Sequence, residues 1–251
     1  MAKQPAPRAA AALPLFYQRP IALQAQHHGT VSLRTQAGYG FARDVNAIPL
    51  TTAEFFHAQR DYPIVFTDEA VSMPVAVVGI RDAANLFVGT DGSWRPGSYV
   101  PAHVRRYPFL LARPAAGREL ALCVDAASDH LEIGAGNPLF ADGKPSATAQ
   151  KAMELCLAYE REIEQSREFM RALQQVEFLA LRDARIQVSP GDTVQLRGFK
   201  MIDEEKLNQL PAETFREWRA KGWIAVIYAH LLSLGAWEGL ARIAAERRGG
   251  P

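Results

Sequence analysis

The sequence lacks the short motifs that identify the common catalytic folds. It has no GxSxG elbow, no Walker A loop, no HExxH helix and no CxxC pair. The stretches GYGFAR and GAGNPLF each lack the third glycine that a dinucleotide fingerprint requires. These absences exclude the enzyme classes that such motifs identify, and we therefore expect no cofactor.

Neither sign of charge is in excess. The chain has 28 lysine and arginine residues against 27 acidic ones, which gives a formal net charge of +1. Proteins that bind nucleic acid usually carry a basic excess or a basic stripe. We therefore expect no nucleic acid partner.

Cysteine is scarce. Cys123 and Cys156 are the only two, and neither has a histidine at zinc-ligand spacing. We interpret both as buried thiols in a reducing compartment, which predicts a cytoplasmic protein, while a disulfide between them stays open.

The six histidines show no spacing that favours a metal site. His27 and His28 are adjacent, and adjacent side chains on a strand point in different directions. Distant residues such as His103, His130 and Glu132 could assemble one, but nothing in the pattern indicates it. We therefore predict no metal.

Long apolar runs are also missing. The longest candidate, Trp223 to Trp237, is interrupted by His230, Ser233 and Gly235, which favours a buried core helix over a membrane span. Pro14 interrupts the short apolar stretch near the first residue, and no clean cleavage site follows it, so we expect no secretion by this route.

Short apolar segments separated by turn residues predict a strand-rich first half. The candidates are TVSLRT (30–35), YPIVFT (62–67), MPVAVVGI (73–80), NLFVGT (85–90) and LALCVDA (120–126). Their close spacing favours an antiparallel or mixed sheet. Between them, residues 51–60 predict a short helix with Phe55 and Phe56 facing inward, and the stretch 134–146 predicts a long surface loop.

From residue 147 the pattern becomes helical. Mostly apolar residues recur at alternating spacings of three and four from Ala149 to Leu173, and Ser146 or Thr148 can cap the helix. This face could pack into the core or form the seam of a homodimer.

The remaining pattern completes an α+β prediction. A strand is expected at 192–203, followed by short helices and a last helix from about 223 to 247. We predict a flexible tail at 1–12 and a single α+β domain at 13–251. That domain is strand-rich over 13–145, with an antiparallel or mixed sheet, and mainly helical over 146–251.

The segment YVPAHVRRYPF, Tyr99 to Phe109, holds two adjacent arginines and is called the arginine block below. In an extended segment Arg105 and Arg106 would face opposite ways, one outward and one inward. The inward guanidinium needs an acid partner such as Asp82, Asp91, Asp125 or Glu132. Two interpretations stay open: an internal ion pair that fixes a loop, or a site for a carboxylate or phosphate.

Aromatic residues accompany these arginines. Such groups on a loop are typical of recognition surfaces, and equally of a loop that covers its own core. His230 lies on an apolar helix, where it is either a core histidine or a polar group facing a pocket between helix and sheet. We predict that His230, or one of the two arginines, lines a pocket between the strand-rich half and the last helix. The candidate ligand-binding residues are Trp94, Tyr99, His103, Arg105, Arg106, Tyr107 and His230.

Several consecutive segments resemble the SapC family of bacterial proteins, from about Leu13 to Leu240. They are IPLTTAEF, YPIVF, PVAVVGIRDAANLFV, DGSWRPGSYVPAHVRRYPF, LCVD, LRGFKMIDEEKLNQL and GWIAVIYAHLLSL. The family is named from a surface-array (S-layer) gene cluster, and its members look to be found beside flavin-dependent halogenase-like and cupin-like genes in settings linked to nutrient uptake. The resemblance implies a context rather than a reaction and carries no catalytic residues.

Two functions are therefore expected from different classes. The first is an accessory or binding protein of a surface-layer, export or uptake system, with a peptide, a protein or a small anionic molecule as its ligand. The alternative is an enzyme or enzyme subunit acting on peptides or amino-acid derivatives beside a flavin-dependent or 2-oxoglutarate-dependent enzyme. In that case an arginine would bind a carboxylate, and His103 or His230 would transfer protons.

Overall fold

Strands dominate the first half of the chain and helices the second, which confirms the α+β prediction. The computed structural model describes residues 13–112 and 120–248, so the predicted tail at 1–12 lies outside the described residues. The strands are β1 (Pro20–Ala22), β2 (Val31–Leu33), β3 (Ala47–Pro49), β4 (Ile64–Thr67), β5 (Pro74–Val77), β6 (Phe109–Ala112), β7 (Ala121–Asp125), β8 (Leu131–Ile133), β9 (Asn137–Pro138), β10 (Phe140–Ala141), β11 (Lys144–Pro145), β12 (Leu179–Ser189) and β13 (Asp192–Ile202). The helices are α1 (Ala25–His28), α2 (Phe55–Ala58), α3 (Ala102–Arg105), α4 (Ala147–Gln175), α5 (Glu204–Asn208), α6 (Ala212–Ala220), α7 (Trp223–Ser233) and α8 (Ala236–Arg248).

The strands form small antiparallel sheets. The largest has five strands in the order β12-β13-β4-β5-β3, and two three-stranded sheets have the orders β1-β7-β6 and β8-β2-β9. The last two short strands, β10 and β11, pair with each other inside the predicted surface loop. Pairs of consecutive strands such as β4–β5 and β10–β11 follow from the close spacing of apolar segments and turn residues. The pairs β1–β7, β2–β8 and β13–β4 instead join segments that are far apart in the chain.

The longest strands lie in the second half, and one of them, β12, is missed by the sequence analysis. β12 and β13 pair over 11 residues each, joined at Gly191, which has a φ of +82°. The register shifts opposite Gly198, whose φ of +75° suits a bulge. Few residues of this ribbon are buried, and β13 joins β4 only at Phe199 and Lys200. β12 is missed because the charged residues at 182, 183 and 185 interrupt the apolar alternation on which strand prediction depends.

Two local predictions in the first half are wrong. Residues 85–90 do not form a strand, since their backbone pairs with other segments only through scattered hydrogen bonds and one isolated bridge between Val88 and Trp94. In α2, Phe55 is buried but Phe56 is half exposed. An apolar run predicts burial without specifying the hydrogen bonds of its backbone, and adjacent helical residues do not share a face.

The long helix α4 follows its prediction closely. Ser146 caps it, since its side chain accepts a hydrogen bond from the Ala149 N–H at 3.3 Å. The predicted apolar face is buried within this one chain, against β6 and residues 52–54. The face is therefore a core face, because its residues are already covered. The buried residues are Ala149, Ala152, Cys156, Tyr159, Ile163, Ser166, Phe169, Met170 and Leu173.

The last predicted helix is divided into α7 and α8, which meet at Leu234 and Gly235. By length and composition alone, residues 223–247 could cross a membrane, but a core helix of a globular protein passes the same test. Ile227 and Leu240, one on each helix, are fully buried in the main core of the protein. Their burial favours the interpretation as core helices.

Two polar side chains of α7 accept hydrogen bonds from backbone N–H groups of β4 and β13, at the place where these strands separate and no longer pair with each other. The buried Ser233 hydroxyl accepts a hydrogen bond from the Ile64 N–H at 3.0 Å. His230 accepts one from the Ile202 N–H through Nε2 at 3.2 Å. Buried backbone N–H groups need such partners, because leaving one unpaired costs the free energy of desolvation.

Both cysteines are buried and unpaired, as predicted. Cys156 lies among the apolar residues between α4 and the β6–β7 sheet, and Cys123 lies on the other side of β7 beside Tyr17 and Tyr107. Burial raises the pKa of both thiols, and that of Cys156 to about 11. Both side chains are therefore protonated packing groups near neutral pH.

Replacing Ser233 with alanine should destabilise the fold. The Ile64 N–H would lose its acceptor in a dry environment, at a cost of about 1–3 kcal/mol in the free energy of unfolding. Ser189→Ala, which changes an exposed serine of β12, should cost less than about 0.5 kcal/mol. Urea denaturation of the two variants would measure this difference, and equal losses would contradict the role assigned to Ser233.

Candidate functional site

The arginine block contains one turn of helix, α3, rather than the extended conformation considered in the sequence analysis. The Pro101 carbonyl accepts a hydrogen bond from the Arg105 N–H at 3.0 Å. The first N–H of the helix, that of Ala102, donates to Glu54 Oε1 at 2.6 Å. A buried carboxylate therefore caps this helical turn.

The two arginines nevertheless point in different directions, as predicted. Arg106 is 5% exposed, whereas Arg105 lies on the surface. Adjacent residues of a helix are rotated by about 100° from each other, which is enough to separate them. The acid partner of Arg106 is Glu160 of α4, with 3.5 Å between Nη1 and Oε1. The predicted partners, Asp82, Asp91, Asp125 and Glu132, are therefore wrong.

Aromatic rings supply most of the surroundings of Arg106. Its guanidinium carbon lies 4.2 Å from the ring centroid of Tyr159 and 5.6 Å from that of Tyr17. Its Nη2 lies 3.4 Å from Nδ1 of His103. Glu160 is 42% exposed, so the ion pair alone only partly screens the buried charge. Cation–π attraction from the two tyrosine rings compensates part of the remaining loss of hydration.

His103 is held in one tautomer by these neighbours. A guanidinium only donates, so Nδ1 of His103 must accept, and it also lies 3.0 Å from the Tyr159 hydroxyl. The proton is therefore on Nε2, which donates to the Leu15 carbonyl at 3.2 Å. Burial, reinforced by the charge of Arg106, lowers the pKa of His103 to about 3, so the ring is neutral near pH 7.

The segment before β1 covers this cluster from outside. Tyr17 N–H donates to the Pro14 carbonyl at 3.1 Å, which places Phe16 at a φ of +80° inside a tight turn. The ring of Phe16 meets those of Phe41, at 5.1 Å, and Tyr107, at 6.4 Å. These contacts hold a bulky side chain in a backbone conformation that such residues rarely adopt.

A second chain of hydrogen bonds joins the buried Glu54 to the surface. The Tyr99 hydroxyl donates to Glu54 Oε1 at 3.1 Å, and Nη2 of Arg105 donates to the Tyr99 oxygen at 3.1 Å. Glu54 Oε2 also accepts from the N–H and hydroxyl of Thr51, at 2.8 and 3.0 Å. Sequence reasoning missed this connecting role, although the T-x-x-E spacing of a capping box is its visible signal.

Trp94 and Tyr107 are also mostly internal. Trp94 Nε1 donates to the Tyr62 hydroxyl at 3.1 Å, and that hydroxyl donates in turn to the Tyr99 carbonyl. The Tyr107 ring stacks on Phe41 with 4.0 Å between the ring centroids. Most of the predicted site residues therefore hold the scaffold together.

His230 is not brought to the arginines. It is fully buried against Phe66, with ring centroids 4.9 Å apart, and no hydrogen bond or ring contact joins it to the arginine block among the residues that the structure describes. Five surface cavities are lined by neither His230 nor Arg105 nor Arg106. The geometry therefore does not support the pocket that these residues were expected to share.

A surface groove lies next to the arginine block and is called the tryptophan groove below. It has a volume of about 680 Å³ and is lined by residues 36–39, 91–98 and Val100. Of the predicted site residues it contains Trp94, whose ring packs edge-on against Tyr39 at 5.5 Å. Arg95, which the predictions did not include, contributes the only cationic side chain of this lining.

Two glycines allow the walls of the groove to meet. The Tyr39 N–H donates to the Gly92 carbonyl at 2.6 Å, and Gly92 has a φ of +80° in the predicted Asp91–Gly92 turn. A Cβ atom on Gly38 would lie 3.0 Å from the Gly92 oxygen. Asp91 accepts hydrogen bonds from the N–H and hydroxyl of Ser93, which lower the pKa of its carboxyl and fix the turn.

Comparison with known families now identifies the group to which the chain belongs. A family model described as SapC matches residues 23–240, which is most of the chain and includes both the tryptophan groove and the arginine block. The chain belongs to the SapC family. No curated protein and no solved structure matches it. In the described ranges, no three or more histidine, cysteine or acidic residues are grouped so that they could hold a metal ion.

Replacing the two arginines with alanine should have unequal effects on stability. Arg106→Ala should lower the free energy of unfolding by about 3 kcal/mol, because it leaves a cavity and removes both cation–π contacts. Arg105→Ala, its matched control, should cost less than about 1 kcal/mol at this exposed position. Chemical denaturation would measure both, and similar losses would contradict the internal role of Arg106.

The buried histidines should make the protein sensitive to acid. Burial lowers the pKa of His103 to about 3 and that of His230 to about 4, both below the ordinary value of 6.5. As the pH falls below about 6.5, these two histidines bind protons in the unfolded chain while they stay neutral in the folded one. The free energy of unfolding is therefore undiminished above that pH and decreases below it. Each histidine should lower the free energy of unfolding by about 2 kcal/mol between about pH 7 and pH 5.

Denaturation at a series of pH values would check this, with one variant and one control. His103→Gln should reduce the loss of stability between neutral and acid pH. His27→Gln, which changes an exposed histidine of α1, should leave that loss unchanged. A pH dependence unaffected by His103→Gln would show that other groups cause it.

Proposed function

We propose that this SapC-family chain is a non-catalytic accessory protein whose ligand binds in the tryptophan groove. The observation that carries this proposal is the groove itself. At about 680 Å³ it is larger than four other surface cavities, which have volumes of about 340 to 410 Å³. Ligand sites generally have volumes in this range and combine apolar surface with a few polar groups.

The lining of the groove suits a peptide or a protein segment with an acidic group. Tyr39, Pro96 and Val100 offer apolar surface, and Arg95 offers a guanidinium fork for a carboxylate. The glycine-rich turns at 38 and 92 bring backbone groups close to the cavity. An extended peptide can use both kinds of surface, since its backbone forms hydrogen bonds and its side chains occupy the apolar positions.

The residues around the arginine block support one wall of this groove. The Tyr99 N–H donates to Asp61 Oδ2 at 2.8 Å, and Arg60 Nη2 donates to the Gly97 carbonyl at 2.8 Å. Together with the bond from Tyr62, these contacts fix residues 97–99 against the turn that follows α2. A wall fixed in advance lowers the entropy that a ligand must lose on binding.

The cellular setting is part of the same proposal. Membership of the SapC family supports a role in a bacterial surface-layer, export or nutrient-uptake system. Two buried, unpaired cysteines support a reducing compartment, so we place the protein in the cytoplasm. Its partner there would be a protein or peptide that presents an acidic segment.

Filling the groove should weaken ligand binding. The intact chain, immobilised and screened against a library of random peptides, should select a group of related acidic sequences. Ser98→Trp places a bulky ring in the groove and should weaken binding of those peptides by at least about tenfold. Ser189→Trp, on the exposed β12 strand, should leave binding unchanged.

Two results would refute the proposal. One is a wild-type protein that selects no peptide sequence. The other is equal binding by the wild type and the Ser98→Trp variant, since a ligand that tolerates the filled groove binds elsewhere. Melting temperatures of both variants would confirm that each is folded.

A further inference from the structure

Residues 85–95 form a loop whose second part, 91–95, lines the tryptophan groove. Hydrogen bonds join its two arms as in a hairpin, although neither arm is a regular strand. The Arg95 N–H donates to the Phe87 carbonyl at 2.7 Å, and the Gly89 N–H donates to the Ser93 carbonyl at 2.8 Å. The turn at its tip leaves several carbonyl groups facing side chains from elsewhere in the chain. This loop is where residues 85–90 were predicted to form a strand.

Arginines from three parts of the sequence meet at this loop. Arg43 donates through Nη2 to the carbonyls of Gly89 and Thr90, both at 3.2 Å. Arg247 of α8 donates to two further carbonyls of the loop, those of Asn85 at 3.2 Å and Val88 at 2.7 Å. Arg95 belongs to the loop itself. Three guanidinium groups are thus gathered around about ten residues of backbone.

Acidic residues only partly balance these charges, since Asp91 of the same loop attracts Arg43 from beyond ion-pair distance. In the ranges 13–112 and 120–248, no carboxylate lies within 4.0 Å of Arg43 or Arg247. Arg95 meets only Glu246, at 3.5 Å, and Glu246 is half exposed and also faces Arg242. Burial lowers the pKa of Arg247, and the positive charges of Arg95 and Arg43 lower it further. Nearby like charges have this effect because they disfavour the protonated form.

We propose that Arg43, Arg95 and Arg247 form a binding site for an oxyanion of the phosphate or carboxylate class. Arg43 uses one of its three nitrogens for the loop carbonyls, and Arg247 uses two, so each keeps N–H groups without a partner in the described structure. Planar guanidinium forks bind phosphate and carboxylate groups through paired hydrogen bonds. Fixing the loop alone would require donors, but it would not require three positive charges at one place.

This site does not depend on the proposed function of the tryptophan groove. Arg43 and Arg247 lie outside the groove lining, and only Arg95 belongs to both. A ligand in the groove with an acidic end could extend to the arginines, but a free anion could also bind there alone. The two proposals can therefore fail separately.

Calorimetric titration of the full chain with pyrophosphate and, separately, with citrate would test the site at fixed ionic strength. We expect saturable binding of at least one anion. Arg43→Gln and Arg95→Gln should each weaken it about tenfold, since each removes a charge-assisted hydrogen bond. Arg167→Gln, which removes an equal charge from the exposed face of α4, should change affinity less than about twofold.

The outcomes separate the alternatives. A preference for pyrophosphate would assign the site to phosphoryl groups, and a preference for citrate would assign it to carboxylates. Absence of saturable binding, or an equal loss in Arg167→Gln, would overturn the proposal. Arg95→Gln keeps this test valid if Arg43→Gln fails to fold, because the Arg95 side chain holds no carbonyl of the loop. Anion binding that survives Ser98→Trp would show that the site is independent of the groove.

Discussion

The buried guanidinium of Arg106 is the constraint on which the organisation of the first half depends. A positive charge removed from water must be compensated, and here Tyr17, Tyr159, His103 and Glu160 share that task. These groups come from the segment before β1, from α3 and from α4. Satisfying one charge therefore fixes the relative positions of three segments that lie far apart in the sequence.

Buried polar side chains elsewhere serve the backbone in a similar way. Glu54 accepts the first N–H of α3, and Ser233 and His230 accept N–H groups where β4 and β13 separate. Each stands at a place where regular secondary structure leaves a donor without a partner. The polar residues that look functional in the sequence are in large part the residues that allow short strands and helices to be joined. The two proposed binding surfaces, the tryptophan groove and the loop at 85–95, lie next to these residues rather than on them.

The fold class and α4 could be predicted because their signals are local. A spacing of three and four residues repeated from Ala149 to Leu173 specifies one helical face regardless of its neighbours. The partner of Arg106 could not be predicted, because Glu160 is distant in sequence and only the packing of α4 brings it close. Likewise, residues 85–90 have the composition of a strand, but side chains of Arg43 and Arg247 bind carbonyls that a neighbouring strand would otherwise use. The groove depends on two loops meeting at glycines, which no periodicity reveals.

The turn at Pro14–Tyr17 has a consequence for comparisons within the family. This turn and its aromatic rings precede residue 23, where the SapC match begins, yet they cover the arginine block that the match includes. The segment therefore covers Arg106 from outside with residues that lie ahead of the matched range. A relative that has an arginine at this position but a different leading segment would need another cover for the guanidinium, or the charge would be exposed to solvent.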